Sequence, residues 1–321
     1  MSIFQPDPST FANLKASPKT IVITGGASGI GLATATLLSQ LNPQHNLVLI
    51  DLNVPPPSFK HDPSRLLVQT CNITAWKNQR AAFEAAYAKF GRIDAVFVNA
   101  GIVEYQDQFF TDALDADGQL KEPDRRTLSV DLDAASATTK LAIHYLRKNK
   151  EGGQIVLTAS LAGYIGSSSV GMPFYCAAKH GIVGLMRAVH RPCRAHHIAL
   201  SLIAPGITTT PMITTTSILA PAAQGLEQQQ AHEIFSKDLA ARGVPVNKPE
   251  TVAAAVCWLF NEGMAASGAG ILVQADNCMD WEARLAKTRT QWMGEEMLEL
   301  YKGGRKVSSL LWEGEGKRAK M

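Results

Sequence analysis

Apolar residues in this chain come in short unbroken runs, separated by stretches with helical spacing. Seven such runs predict strands: Ile21–Thr24, Leu47–Asp51, Leu66–Thr70, Ile93–Val98, Gln154–Ala159, Ala199–Ala204 and Gly270–Ala275. Most lack the apolar–polar alternation of a sheet with one wet face, as expected for strands buried on both sides. Helix-length segments lie between them. Ile30, Ala33, Leu37, Leu38 and Leu41 share one helical face, and Pro43 lies just beyond the end. A second helix is expected from Thr74 as N-cap to Phe90, with Gly91 as its stop. Strand–helix alternation repeated this often predicts an α/β fold, a doubly wound parallel sheet of seven strands in a single domain.

Two stretches break the rhythm. Gln106–Asp124 is polar and acidic, and Thr208–Pro245 is rich in Thr, Ala and Gln before a helical pattern at Leu226–Ala241. Both follow the carboxyl end of a strand, where open α/β sheets place their ligands. The expected organisation is an N-terminal arm (1–17), a catalytic domain (18–278) with a substrate loop at 208–245, and a C-terminal extension (279–321). Trp281, Trp292 and Trp312 in that extension predict helices docked on the body or on another subunit.

Composition narrows the class. Of the 321 residues, 46% are hydrophobic and 18% charged, and the net charge is +3. That balance suits a packed core and gives no reason to expect a nucleic acid or an anionic membrane as partner. The five cysteines never fall in C-x-x-C spacing, so neither a disulfide framework nor a metal site is expected. The first 15 residues lack a signal-peptide pattern, and the longest apolar run, Val252–Phe260, is half of what a bilayer needs. A cytoplasmic protein with a small-molecule substrate is expected.

The first strand runs into a glycine-rich turn, Thr24-Gly-Gly-Ala-Ser-Gly-Ile-Gly31, with Asp51 ending the second strand 20 residues later. Glycines let a pyrophosphate approach the backbone, and the helix that follows points its positive end at the phosphates. An acid at that distance can accept from both ribose hydroxyls of an adenosine, whereas it repels a 2′-phosphate. Leu52 follows Asp51, and the loop carries Ser28 with no Lys or Arg, so NAD is favoured over NADP. A second cluster is Tyr175-Cys-Ala-Ala-Lys179 at the opening of a helix, with Ser160 ending the strand before it. Residues i and i+4 share a helix face. An ammonium close to a phenol lowers the phenol's pKa and makes it a usable acid or base near neutrality.

These motifs, with Asn99-Ala-Gly101 and Pro205-Gly206 followed by Thr210, come in the order of the short-chain dehydrogenase/reductase family, which the chain resembles from about Lys19 to Asp276. The segment from Tyr175 to Leu185 is similar to the branch containing 15-hydroxyprostaglandin dehydrogenase and to fungal NAD-dependent alcohol dehydrogenases of natural-product pathways. The resemblance implies a Rossmann-type fold, a homodimer or homotetramer, and hydride transfer between nicotinamide and a secondary alcohol or ketone. It implies that Tyr175 exchanges the proton, Lys179 binds the nicotinamide ribose and tunes Tyr175, and Ser160 orients the substrate. Gly25, Ser28, Gly29, Ile30 and Gly31 then hold the pyrophosphate. Asn72 with Ile73 meets the adenine, Asn99, Ala100 and Gly101 floor the adenosine side, and Pro205, Gly206, Thr208 and Thr210 reach the carboxamide. Ile207, Met212, Ile213, Ile218 and Leu219 point to an apolar, medium-sized substrate.

Three departures from that pattern leave alternatives open. Asp131 stands where the family usually has an Asn that supports a water chain to the lysine. Either a backbone carbonyl does that work and the side chain hardly matters, or the carboxylate stabilises the charged Lys179 and weakens its hold on Tyr175. Ser160 and Tyr175 are 15 residues apart, two more than usual, with the extra residues expected in Gly166–Met172; Ser167, Ser168 or Ser169 as the catalytic hydroxyl is the minor alternative. Gln106–Asp124 is also longer than usual. A different class of function also fits the fold: a dinucleotide-binding protein whose redox activity has lapsed, serving as a sensor or a non-redox catalyst.

Overall fold

β1 (Thr20–Thr24) is buried along its length, sending Val22 to one side of the sheet and Ile21 and Ile23 to the other. Both sides must therefore be covered, and they are. In this computed structural model, which describes residues 3–104, 107–166, 172–214, 237–239 and 241–303, one core lies on each face. Short α1 (Ala12–Ala16), α2 (Gly29–Leu41) and a later helix, α8 (Pro249–Glu262), cover the Ile21 face through Leu14, Leu38 and Val256. The Val22 face is covered by α3 (Trp76–Phe90), α5 (Ala135–Leu146) and α6 (Pro173–Arg194), through Phe83, Leu141 and Ile182. Two further short helices on the way along the chain are α4 (Arg126–Leu128) and α7 (Pro211–Thr214).

The other strands are β2 (Asn46–Asp51), β3 (Leu66–Thr70), β4 (Ala95–Val98), β5 (Gly153–Thr158), β6 (Ile198–Pro205), β7 (Gly270–Gln274) and β8 (Asn277–Asp280). They form one sheet in the order β3-β2-β1-β4-β5-β6-β7-β8, parallel except for β8. The sheet thus has eight strands, not the seven expected. The extra strand comes from a two-residue reversal at Ala275 and Asp276, both with positive φ (49° and 58°), which folds Asn277 back opposite Gln274. Tight hairpins need that conformation and usually signal it with glycine or Asn-Gly. Ala-Asp carries no such signal.

β8 also receives the N-terminal arm: Phe4 and Cys278 exchange two backbone hydrogen bonds of 2.9 Å. Beyond β8, α9 (Trp281–Lys287) docks through Glu282, which accepts from the Tyr164 hydroxyl at 2.8 Å and from Arg187 of α6 at 2.8 Å. The α3 N-terminus differs by a residue from expectation, with Ala75 at the cap. Thr74 is drawn off because its N–H and hydroxyl both donate to Asn72 Oδ1. His196 and His197 sit in the turn before β6, where His197 has φ 57°. Most of the Leu226–Ala241 pattern lies outside the described residues.

His45, in the turn before β2, is fully buried; its Nδ1 accepts from the Lys19 N–H at 3.0 Å, while Nε2 has no hydrogen-bond partner among the described residues. Burial, aided by the Lys19 and His61 charges, pushes its pKa down to about 4. The unfolded chain takes up this proton near pH 6.5, so its contribution to stability is complete above that pH and is lost on acidification toward 4. The expected loss is roughly 3 kcal/mol across that window. Thermal unfolding at several pH values checks it: His45→Asn, which keeps an acceptor for Lys19, flattens the slope.

Candidate active site

The chain order places the switch point of the sheet between β1 and β4, and a crevice opens there at the carboxyl ends of the strands. It is a cleft of about 840 Å³. One end is built by the turn after β1. Gly31 packs so tightly that a Cβ there would lie 2.0 Å from the Gly25 carbonyl oxygen, so only glycine lets α2 start at that depth. Gly25, Ser28, Gly29 and Ile30 line the cleft at the α2 N-terminus. Asp51 ends β2 beside them, its Oδ2 accepting from the Ala27 N–H at 3.0 Å and its Oδ1 from the Asn53 N–H at 3.1 Å. Asn72, Ile73, Asn99, Ala100 and Gly101 continue the same wall. Asn99 locks the ends of β4 and β1 together, its N–H donating to Thr24 Oγ1 at 2.9 Å and its Nδ2 to the Thr24 carbonyl at 3.1 Å.

The other end gathers the titratable groups. Ser160, two residues past β5, caps the short 3₁₀ turn Leu161–Gly163 and donates to the Pro205 carbonyl at 3.3 Å. Tyr175 stands in the first turn of α6, and Lys179, one turn on, places Nζ 5.4 Å from the Tyr175 ring centre. The lysine is buried. Its Nζ meets Asp131 Oδ2 at 2.8 Å and donates to the Thr158 carbonyl at 3.2 Å. Burial alone pushes the ammonium down, but the Asp131 carboxylate and the Tyr175 phenol outweigh it and hold the pKa above the usual lysine range.

Asp131 is carried in on a π-helical turn, Ser129–Ala134, between α4 and α5. Such a turn is an extra-residue bulge that re-aims a side chain, and it recurs at functional sites. Oδ1 accepts from the Ile102 N–H at 2.7 Å. Gly101 makes room, since a Cβ there would come within 2.9 Å of Oδ2. Of the two readings open for Asp131, the geometry is that of a carboxylate paired with Lys179. Pro205, Gly206, Thr208 and Thr210 close the cleft from the β6 side, with Thr210 packed 3.2 Å from the position of a Cβ on Gly29.

Residues 19–218 match the family model described as short chain dehydrogenase. The chain belongs to the short-chain dehydrogenase family. It is 35% identical over 216 residues to the short-chain dehydrogenase/reductase prx4 of Penicillium roqueforti, covering 67% of this chain and 62% of that protein. It is 38% identical over 217 residues to ascJ of Acremonium egyptiacum, covering 66% and 70% of the two chains. A 28% identity to ATR7 of Stachybotrys chlorohalonatus runs over 93% of this chain and 91% of that one. Among solved structures, levodione reductase superposes with a TM-score of 0.62 at 24% identity, over 80% of this chain and 96% of that one, which shows the same fold.

In this member of the family the glycine turn, Asp51 and the residues Ser160, Tyr175 and Lys179 line one cleft. Ser167, Ser168 and Ser169 lie outside the described residues. Among the described residues no cluster of three or more His, Cys, Asp or Glu could hold a metal, and no helix is long and apolar enough to cross a membrane. Sequence reasoning missed Glu104 and Asp107, which line the cleft, and the Thr158 carbonyl. Glu104 had one available signal: a carboxylate directly after the apolar pair Ile102-Val103, three residues past the Asn99-Ala-Gly101 motif.

Proposed function

We propose that the protein is an NAD-dependent dehydrogenase of a secondary alcohol, running also in reverse on the ketone, with an apolar medium-sized substrate from a natural-product pathway. The observation that carries this reading is the pairing of two sites in one cleft: a carboxylate, Asp51, at the adenosine end and the Tyr175–Lys179 pair at the other. Lys179 is the one Lys or Arg among the described lining residues, so the Asp51 end offers no cation to a 2′-phosphate. The glycine turn that a Cβ would fill, set at the start of α2, fits a pyrophosphate.

When bound, the nicotinamide supplies the acceptor for the hydride leaving the carbinol carbon. The protein does the rest. Gly25, Ser28, Gly29, Ile30 and Gly31 hold the phosphates, Asp51 the ribose, and Asn72, Ile73, Asn99, Ala100 and Gly101 the adenosine. Because Asn72 Oδ1 is taken by Thr74, its amide Nδ2 makes any contact with adenine. Thr208 and Thr210 reach the carboxamide beside Pro205 and Gly206. Ser160 holds the substrate oxygen, giving up the Pro205 carbonyl to do so. Tyr175 takes the hydroxyl proton, and Lys179, fixed by Asp131 and the Thr158 carbonyl, supplies the positive field that lets it go.

Ile102, Ile165, Ile207 and Met212 are exposed large side chains that line this cleft, and they support an apolar substrate. The fungal relatives named above support a pathway enzyme. A redox-lapsed scaffold is disfavoured because Ser160, Tyr175 and Lys179 all stand together. Absorbance at 340 nm with NAD and a panel of secondary alcohols tests the proposal: NADH formation is expected, and its absence across the panel with NAD bound would overturn it.

A further inference from the structure

The cleft holds a carboxylate that the chemistry above does not use. Glu104 is 6% exposed, and one oxygen, Oε2, accepts from the Tyr175 backbone N–H at 3.0 Å. The other, Oε1, is buried with no partner among the described residues. Asp107, on the same rim, differs: its Oδ1 already accepts from the Phe109 N–H at 2.9 Å and the Phe110 N–H at 3.1 Å. The lining of the same cleft includes the apolar side chains Ile102, Val103, Ile165 and Met172. A buried acceptor left without a donor is unfavourable, and a ligand that brings the donor recovers that loss. Pockets of this kind, apolar walls with a few placed polar groups, fix orientation through those groups.

We propose that Glu104 is a specificity residue that binds a second hydroxyl of the substrate, so that the preferred substrate is a diol or hydroxyketone rather than a simple alcohol or ketone. The proposal rests on the dehydrogenase reading. Oε1 belongs to a side chain tied to the backbone of Tyr175, so a hydroxyl held there orients the substrate relative to the phenol that takes the proton. A hydroxyl suits the site better than an ammonium. Burial pushes the Glu104 carboxyl up, against the Tyr175 and Phe174 N–H groups, and the Asp107 charge adds to the rise. A hydroxyl can donate to the ionised acid or accept from the neutral one, whereas an ammonium pairs well only with the ionised form.

The test compares kcat/KM with NAD for matched probes: cyclohexanol against cyclohexane-1,3-diol and -1,4-diol, and decan-2-ol against decane-2,9-diol. The native protein is expected to favour at least one diol over its mono-alcohol by about tenfold to a hundredfold. Glu104→Leu is expected to bring that ratio to about one, while Glu104→Gln, which keeps an acceptor for the Tyr175 N–H, retains part of it. The ratio is internal to each variant, so a general loss of activity from weakened capping of α6 does not mimic it. Equal kcat/KM for mono-alcohols and diols in the native protein, or a ratio unchanged in Glu104→Leu, overturns the assignment of Glu104 and leaves the dehydrogenase reading standing. No NADH from any probe while NAD binds overturns both.

Discussion

Tyr175→Phe is expected to lower the rate of NADH formation by about 10²–10⁴-fold, the range for losing a positioned general base. The substitution removes one oxygen and little else. The backbone of residue 175 stays tied to Glu104, and the ring stays in the first turn of α6 beneath Lys179 Nζ. Nucleotide affinity is expected to change far less than the rate, because the glycine turn and Asp51 lie at the other end of the cleft. Stopped-flow measurement of the first turnover, with a parallel nucleotide titration, separates the two effects. A variant that keeps a tenth or more of the native rate would mean that Tyr175 does not carry the proton.

The second large effect belongs to the Asp131–Lys179 pair. Both side chains are buried, and removing one member of a buried ion pair strands the other, at a cost of about 3–5 kcal/mol. Asp131→Leu is therefore expected to lower the unfolding free energy by that amount. The raised pKa of Lys179 sets the pH window: its contribution is complete below the ordinary lysine value, about 10.4, and is lost only as pH rises through the folded value. The destabilisation should accordingly be undiminished across the neutral range.

Asp131→Asn separates charge from packing, since the amide oxygen still accepts from Ile102. Without the carboxylate, the full positive field of Lys179 falls on the phenol, and the pH at which oxidation rises moves down. Burial then also pulls the Lys179 ammonium down, so the rate falls again at high pH where the native profile does not. An unchanged pH–rate profile would make Asp131 a packing residue.

Much of this architecture is legible in the sequence because parallel strands buried on both faces are unbroken apolar runs, and all seven such runs are strands. The glycine turn, Asp51 and the Tyr175–Lys179 pair are equally legible because their spacing is fixed locally, by one turn of strand and helix. β8 escapes because its reversal uses Ala275 and Asp276 where glycine usually stands. The Asp131–Lys179 contact and the half-used Glu104 escape for another reason. Each joins residues far apart in sequence, 48 positions in one case and 71 in the other, and depends on a π-helical turn or a loop path that no local pattern encodes.

The central claim is that this cleft is built for NAD and for alcohol oxidation, and quenching of the protein's tryptophan fluorescence by NAD and by NADP in separate titrations tests it most directly. The account predicts saturable quenching by NAD and at least tenfold weaker binding of NADP, with the difference abolished in Asp51→Ser. Equal binding of the two would contradict the role given to Asp51, and binding of neither would contradict the dehydrogenase itself.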